Sequence, residues 1–349
     1  MKTLIKTLVV ISIVALNNFC SPPETKTIAN GQQPQLSIDD SGTIRMVYGN
    51  EGKIYCATST DNGLSFPDIQ LVGEVEEMHL GMTRGPQLAT SKNYSLVSAM
   101  DKKGNIHSFK LTHASGEWVK TNLINDVSRS APEGLMDIAA DQADNFYAVW
   151  LDIRNEKKNN ICFASTSNQG KAWSKNSIIY TSPDENVCEC CKPSIEANKN
   201  EVSIMFRNWV NGSRDLYLIQ SDNKGTQFAE AVKLGNGTWN LDGCPMDGGG
   251  LVVGDNLEAT TVWQRKGEIY FSKPNEAEAL IGKGRSCSIA DANNPIAAWQ
   301  DGKMLVVEEL EKGKKIEVGE GSFIKVIRTK DGQIFSAWEQ EKNILYKRI

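Results

Sequence analysis

The segment "NVCECCKPSI" (186–195) sets Cys188, Cys190 and Cys191 within four positions, with Lys192 and Pro193 directly behind. Three thiols this close can form disulfides, ligate a soft metal ion such as copper or zinc, act as a redox device, or lie together with no shared role. Two other stretches carry acid and base together: "WLDIRN" with Asp152 and Arg154, and "FRNWVNGSRD" with Arg207, Trp209, Arg214 and Asp215. Such pairs either close long hairpins as ion pairs or present charged groups to a ligand. Choosing among these chemistries requires the compartment and the elements that hold each stretch.

The compartment is read from the N-terminus. "MKTLIKTLVVISIVALNNFC" has Lys2 and Lys6, an apolar run from Leu8 to Leu16, and Cys20. The run is too short to cross a bilayer, so residues 1–19 read as a secretory signal. A Cys at the cleavage point followed by the polar "SPPETK" resembles a bacterial lipoprotein signal, which implies lipidation of Cys20; cleavage nearby, giving a soluble exported protein, is the other outcome. The expectation is an exported, monomeric protein of the cell envelope that meets a membrane only through a lipid on Cys20. Loss of Lys2 and Lys6 with the signal takes the formal charge from −5 to −7. That acidic balance argues against nucleic acid as a partner. Seven further cysteines remain (Cys56, Cys162, Cys188, Cys190, Cys191, Cys244 and Cys287), an odd number, so in an oxidising compartment at least one is left unpaired or bound.

Helix signals are scarce, while short β-branched and aromatic runs alternate with Gly, Asn and Asp turns. A recurring unit is visible: an alternating strand, a turn, and a second strand ending in an aromatic residue or Met. "QLSIDDSGTIRMVYGN", "MDIAADQADNFYAVWLDIRN" and "IRTKDGQIFSAWEQEK" show it, and seven such units run along the chain. After a third strand, "STDNGLSF" (59–66), "TSNQGKAW" (166–173) and "SDNKGTQF" (221–228) share the pattern Ser/Thr-x-Asp/Asn-x-Gly-x-x-aromatic, and "HASGEWVK" is a worn copy. Their glycines Gly63, Gly116, Gly170 and Gly225 are 53, 54 and 55 residues apart. The Asp or Asn oxygen accepts backbone N–H bonds across the hairpin and Gly takes the positive-φ position, so these turns are structural.

These turns resemble the Asp-box (BNR) repeats of the sialidase-like β-propellers, over residues 30 to 349. The resemblance implies an all-β chain folded as a single propeller of four-stranded antiparallel blades. Seven units predict seven blades, against six in characterised sialidases. The last unit lacks a fourth strand, which residues 24 to 33 can supply to close the ring. The domain reading is a signal at 1–19, a linker at 20–29 and the propeller at 30–349.

Blade topology turns sequence positions into places. Links from strand three to four share one face with links from one to two; links from two to three, and from blade to blade, share the other. That second face collects Arg84, Glu133, Asp137, Asp152, Arg154, Arg207, Arg214, Asp215, Asp247 and Arg285, with His79, Arg265 and Cys287. Cys188, Cys190, Cys191 and Cys244 fall in consecutive blade-to-blade links there, so Cys244 is expected to bond to, or share a metal ion with, one or two of the trio. A propeller's funnel mouth is the default ligand site.

Three functions compete. A sialidase-type glycoside hydrolase would clamp a sugar carboxylate with three arginines, for which Arg84, Arg207, Arg214 and Arg285 are candidates. The resemblance also implies a Tyr paired with Glu as nucleophile and an Asp as acid–base group, for whose carboxylates Glu133, Asp137 and Asp152 are the candidates. "TRGP" around Arg84 partly matches the family's Arg-x-Pro motif, without its preceding aromatic, and Tyr217 and Tyr270 fall inside third strands rather than at the mouth. The second function is a non-sialidase propeller binding a small molecule, a glycan, or copper or zinc at a Cys/Arg/Asp-lined funnel. A non-catalytic surface scaffold is the third.

Overall fold

The computed structural model describes residues 24–254, 258–273 and 276–349. The segment expected as a signal, and Cys20, lie outside the described residues. No helix is present among those described, and none is long and apolar enough to cross a membrane. Twenty-eight strands form seven four-stranded antiparallel sheets, a seven-bladed β-propeller. Blades 1 to 6 span residues 32–74, 87–120, 136–180, 194–233, 250–283 and 285–320. Blade 7 takes three strands from 322–348 and its outermost strand, Lys26–Asn30, from the other end of the chain. Lys26 pairs with Tyr346 and Asn30 with Asn343. The ring therefore begins at Lys26, inside the segment expected as linker.

Each second strand carries a bulky residue in its C-terminal half: Tyr48, Met100, Trp150, Phe206, Trp263, Trp299 and Trp338, all 2% exposed or less. The core is divided into seven clusters lying between adjacent blades rather than gathered at one centre; these side chains enter six of them, Met100 and Trp150 sharing one, while Val47, Val97 and Phe109 fill that between blades 1 and 2. Sheets buried on both faces read as near-continuous apolar runs, which is why "FYAVWLD" (Phe146–Asp152) lacks alternation. The hydroxyl-Asp/Asn-Gly turns connect third to fourth strands as expected. In the first of them Ser59 Oγ donates to Asp61 Oδ1 at 2.7 Å, and the Ser65 N–H donates to the same oxygen at 3.0 Å. Thr166 with Asn168 and Ser221 with Asn223 repeat the geometry. The turn aromatics pack on the preceding blade: Phe66 meets Phe335 and Tyr346 of blade 7, and Phe228 meets Phe163 of blade 3.

The innermost strands, Gln32–Ile38, Gln87–Thr90, Met136–Ala140, Ser194–Asn198, Gly250–Val253, Arg285–Ala290 and Ser322–Arg328, surround a central channel. Their N-terminal ends open on the face that collects the blade-to-blade links, here called the link face.

Candidate functional site on the link face

Arg207 ends the second strand of blade 4 and Gly225 follows the third strand, so one strand length separates the link face from the turn face. Around the mouth the long links touch one another. Arg207 is 1% exposed, and its guanidinium donates to three backbone carbonyls: Asp247 at 3.0 Å, Arg214 at 2.7 Å and Gln264 at 2.9 Å. Those bonds tie the second strand of blade 4 to blade 5. A buried guanidinium needs acceptors in several directions at once, and three carbonyls meet that need without a carboxylate.

Beside it lies the thiol cluster. Cys190 and Cys244 form a disulfide across consecutive blade-to-blade links, with a sequence separation of 54. On chain-entropy grounds a loop of that size stabilises by about 4 kcal/mol. Cys188 and Cys191 remain thiols, and all three trio members are buried. Their sulfurs lie 3.7 Å (188–190), 3.5 Å (188–191) and 3.9 Å (190–191) apart. Arg214 Nη1 donates to Cys188 Sγ at 3.0 Å and approaches Glu189 at 3.4 Å. The hydrogen bond from Cys191, aided by Arg214 and Arg207, outweighs burial and brings the Cys188 thiol down to about 7. Burial holds Cys191 high.

The arginines expected to clamp a ligand carboxylate are mostly engaged within the protein. Arg84 Nε donates to the Glu133 carbonyl, and its guanidinium lies 3.9 Å from that carboxylate. Burial and the nearby Glu189 raise Glu133 despite Arg84. Arg154 bonds Asp152 at 2.8 Å and Asp126 at 2.8 Å. Asp152 is fully buried; burial would raise its carboxyl, but donors on Arg154, Ser130 and Trp150 prevail and hold it low. Arg265 pairs with Glu278. Arg214 and Asp215 are not partners, which corrects that reading of the sequence. Adjacent residues in a link point apart, so Asp215 accepts from the Trp239 N–H at 2.8 Å and meets Lys233 at 3.1 Å. Arg285 is exposed at the start of the innermost strand of blade 6, without a side-chain partner among the described residues.

The channel behind the mouth, about 150 Å³, is lined by Asp137, Lys192, Glu196, Cys287, Ser288 and Lys325, among others. Asp137 pairs with Lys192 at 2.7 Å. Asp247 accepts from the Gly249 and Ser286 N–H groups at 3.1 and 2.6 Å, shaping the mouth rather than pairing with a cation. Burial first, then Asp137, pushes Glu196 up to about 8; burial and Lys192 bring Lys325 down to about 8. No ion pair forms at Lys325 among the described residues. Glu196 and Lys325 were missed in the sequence, although "SIEAN" and "SFIKVIR" show a charged residue inside an innermost strand, which is the available signal. A larger depression of about 510 Å³ lies around Gln220 and Phe228, but it sits against the turn residues and gathers only Glu201 and Asp222 as charged groups. Convergence of chemistry, not volume, selects the link face.

A Tyr–Glu pair does exist. Tyr270 Oη donates to Glu268 Oε2 at 2.6 Å, with the Arg265 guanidinium 4.1 Å above the ring. It stands on the third strand of blade 5, two strands out from the channel, and no tyrosine is among the described residues lining the channel or mouth. Two tryptophans occupy the rim instead. Trp209, 37% exposed, carries the Arg214 guanidinium 4.7 Å from its ring centre, and Trp239 carries that of Arg207 at 5.5 Å. Trp239 was not singled out from sequence.

No family model and no curated protein matches the chain. Solved structures do share the fold. An ulvan lyase of a new polysaccharide lyase family, bound to -[GlcA(1-4)Rha3S]-, superposes with a TM-score of 0.56 at 10% identity, covering 93% of this chain and 95% of that one. A protein of unknown function from Dyadobacter fermentans gives 0.53 at 11% identity, covering 93% and 97%. The Trypanosoma rangeli sialidase gives 0.51 at 11% identity, covering 92% of this chain and 55% of the sialidase. At such identities the likeness establishes a propeller fold shared with a sialidase and a polysaccharide lyase.

Proposed function

We propose that the protein is an exported propeller that binds an acidic glycan on the link face and does not cleave it by sialidase chemistry. The observation that carries this reading is the pair Trp209 and Trp239, each seated on a buried guanidinium beside the channel mouth. Pyranose rings present C–H faces that pack on the electron-rich face of an aromatic ring, and rings already fixed lose little entropy on binding. Acidic sugars are favoured because Lys325 in the channel, and the exposed Arg285 at the link-face end of the innermost strand of blade 6, are cations without an ion-pair partner among the described residues. Two fold relatives above are named for glycans, which supports the ligand class. Sialidase-type hydrolysis is disfavoured because Arg84, Arg207 and Arg214 already have partners and no tyrosine is among the described residues that line the mouth and channel. The reading includes a monomer carried by a lipid on Cys20.

A panel of sulfated, uronate-containing and neutral glycans tests it, with released reducing sugar and unsaturated uronate both monitored. Binding to acidic members without either product is expected. Trp209→Ala should weaken binding about tenfold, the scale of one lost aromatic contact, with Tm unchanged. Leu64→Ala on the turn face should bind like the parent. Release of sialic acid from a sialoside would overturn the non-hydrolytic reading.

A further inference from the structure

Independently of the glycan, the geometry points to a thiophilic d10 metal site built from Cys188, Cys190, Cys191 and Cys244, for which the Cys190–Cys244 disulfide is the oxidised, metal-free form. The spacing supports it first. Sulfurs each about 2.3 Å from a common ion lie about 3.8 Å apart in a tetrahedral site and about 4.0 Å apart in a trigonal one. The trio's separations of 3.5, 3.7 and 3.9 Å approach the edges of such a polyhedron. Cys244 is bonded to Cys190 from the next link, but its sulfur stands outside the group that lies within 4.8 Å of one another, so it becomes a fourth ligand only by turning inward once the bond is reduced.

Charge supports it second, through residues other than the ligands. Arg207 is buried with three carbonyl acceptors and no carboxylate. Arg214 is 5% exposed, and among the described residues Glu189 at the rim is its one carboxylate partner and its buried Nε has no acceptor. Two guanidiniums with so little anionic compensation are costly in a protein interior. Three thiolates on a monovalent ion, or four on a divalent one, carry a net double negative charge, which two guanidiniums balance. Soft thiolates select Cu(I) or Zn(II) over hard cations.

Interconversion balances simply. An external dithiol gives two electrons and two protons to the Cys190–Cys244 bond, becomes a disulfide itself, and leaves four thiols; metal binding then releases their protons. In the reverse direction an external disulfide accepts the two electrons and two protons, becomes a dithiol, and leaves Cys190 and Cys244 bonded to each other with the ion released. The metal site is thus gated by the redox state of one interblade bridge.

The full chain, reduced under anaerobic conditions and then separately oxidised, is loaded with Cu(I) or Zn(II), desalted and analysed for metal and free thiol. One ion per chain is expected in the reduced form and none in the oxidised form. Retention of Cu(I) that survives Cys244→Ser assigns the trio as a trigonal site; retention of Zn(II) lost in that variant assigns all four. X-ray absorption should place the sulfurs at about 2.3 Å from the ion. Equal loading of reduced and oxidised protein, or reduced protein that keeps neither metal, would overturn the proposal whatever the variants do.

Discussion

Glu196 shows how one side chain in the channel reports on its surroundings. It faces Asp137 and Lys192 in the narrow channel, half-buried, and desolvation there lifts its carboxyl to about 8. In the unfolded chain the group ionises near its ordinary value of about 4.5, so between these limits the folded protein holds the extra proton. Stability associated with Glu196 is therefore complete below about pH 4.5 and is lost as pH rises toward 8. Glu196→Gln should raise Tm at about pH 8.5 and leave it unchanged near pH 4; at pH 7 the gain is roughly 2–3 kcal/mol, after allowance for the partly open channel. An offset that does not vary with pH would contradict the assignment. Arg207 acts oppositely, as a structural cation. Arg207→Lys keeps the charge but cannot reach three carbonyls in three directions, so a loss of about 2–4 kcal/mol in urea unfolding is expected. A loss below about 0.5 kcal/mol would show that those bonds add little.

At the level of the strand and turn, the turns from third to fourth strand depend on backbone geometry as much as on the Asp or Asn oxygen. Gly225 has φ = +76°, and a Cβ there would run into the Phe163 ring of blade 3. Gly225→Ala should cost about 1–3 kcal/mol, while Gly116→Ala, where a Cβ meets nothing within 4 Å, should cost only its positive-φ strain, about 1 kcal/mol. Chemical denaturation of the two variants compares them directly; equal costs would mean the Phe163 contact is soft. These elements were legible because their signals are local. The hydroxyl, amide and glycine of each turn sit within five residues, and the bulky residue closing each second strand recurs seven times. Ring closure by Lys26–Asn30 was legible for a different reason, the missing fourth strand at "ILYKRI". The boundary set at residue 30 was less so, because "KTIAN" is a short edge strand with little apolar pattern.

For the molecule as a whole, the sequence located the face but not the partners on it. Topology placed Cys190, Arg207, Arg214 and Asp247 on one face, where Arg207 bonds Asp247 and Arg214, and Arg214 bonds Cys188 beside the Cys190–Cys244 bridge; Arg84 meets Glu133 instead. Which acid meets which base was beyond reach, because Arg214 passes over its neighbour Asp215 for Cys188 and Glu189, which arrive on a separate link. That choice depends on how blades 3, 4 and 5 pack, a fact no local pattern encodes. The central claim is that ligand is taken on the link face, and hydrogen exchange with and without the acidic glycan selected by the panel tests it most directly. Added ligand should slow exchange in residues 207–215 and 239–249 and leave the turns at 59–66, 166–173 and 221–228 unchanged. Protection of those turns, with no change in the links, would contradict the account.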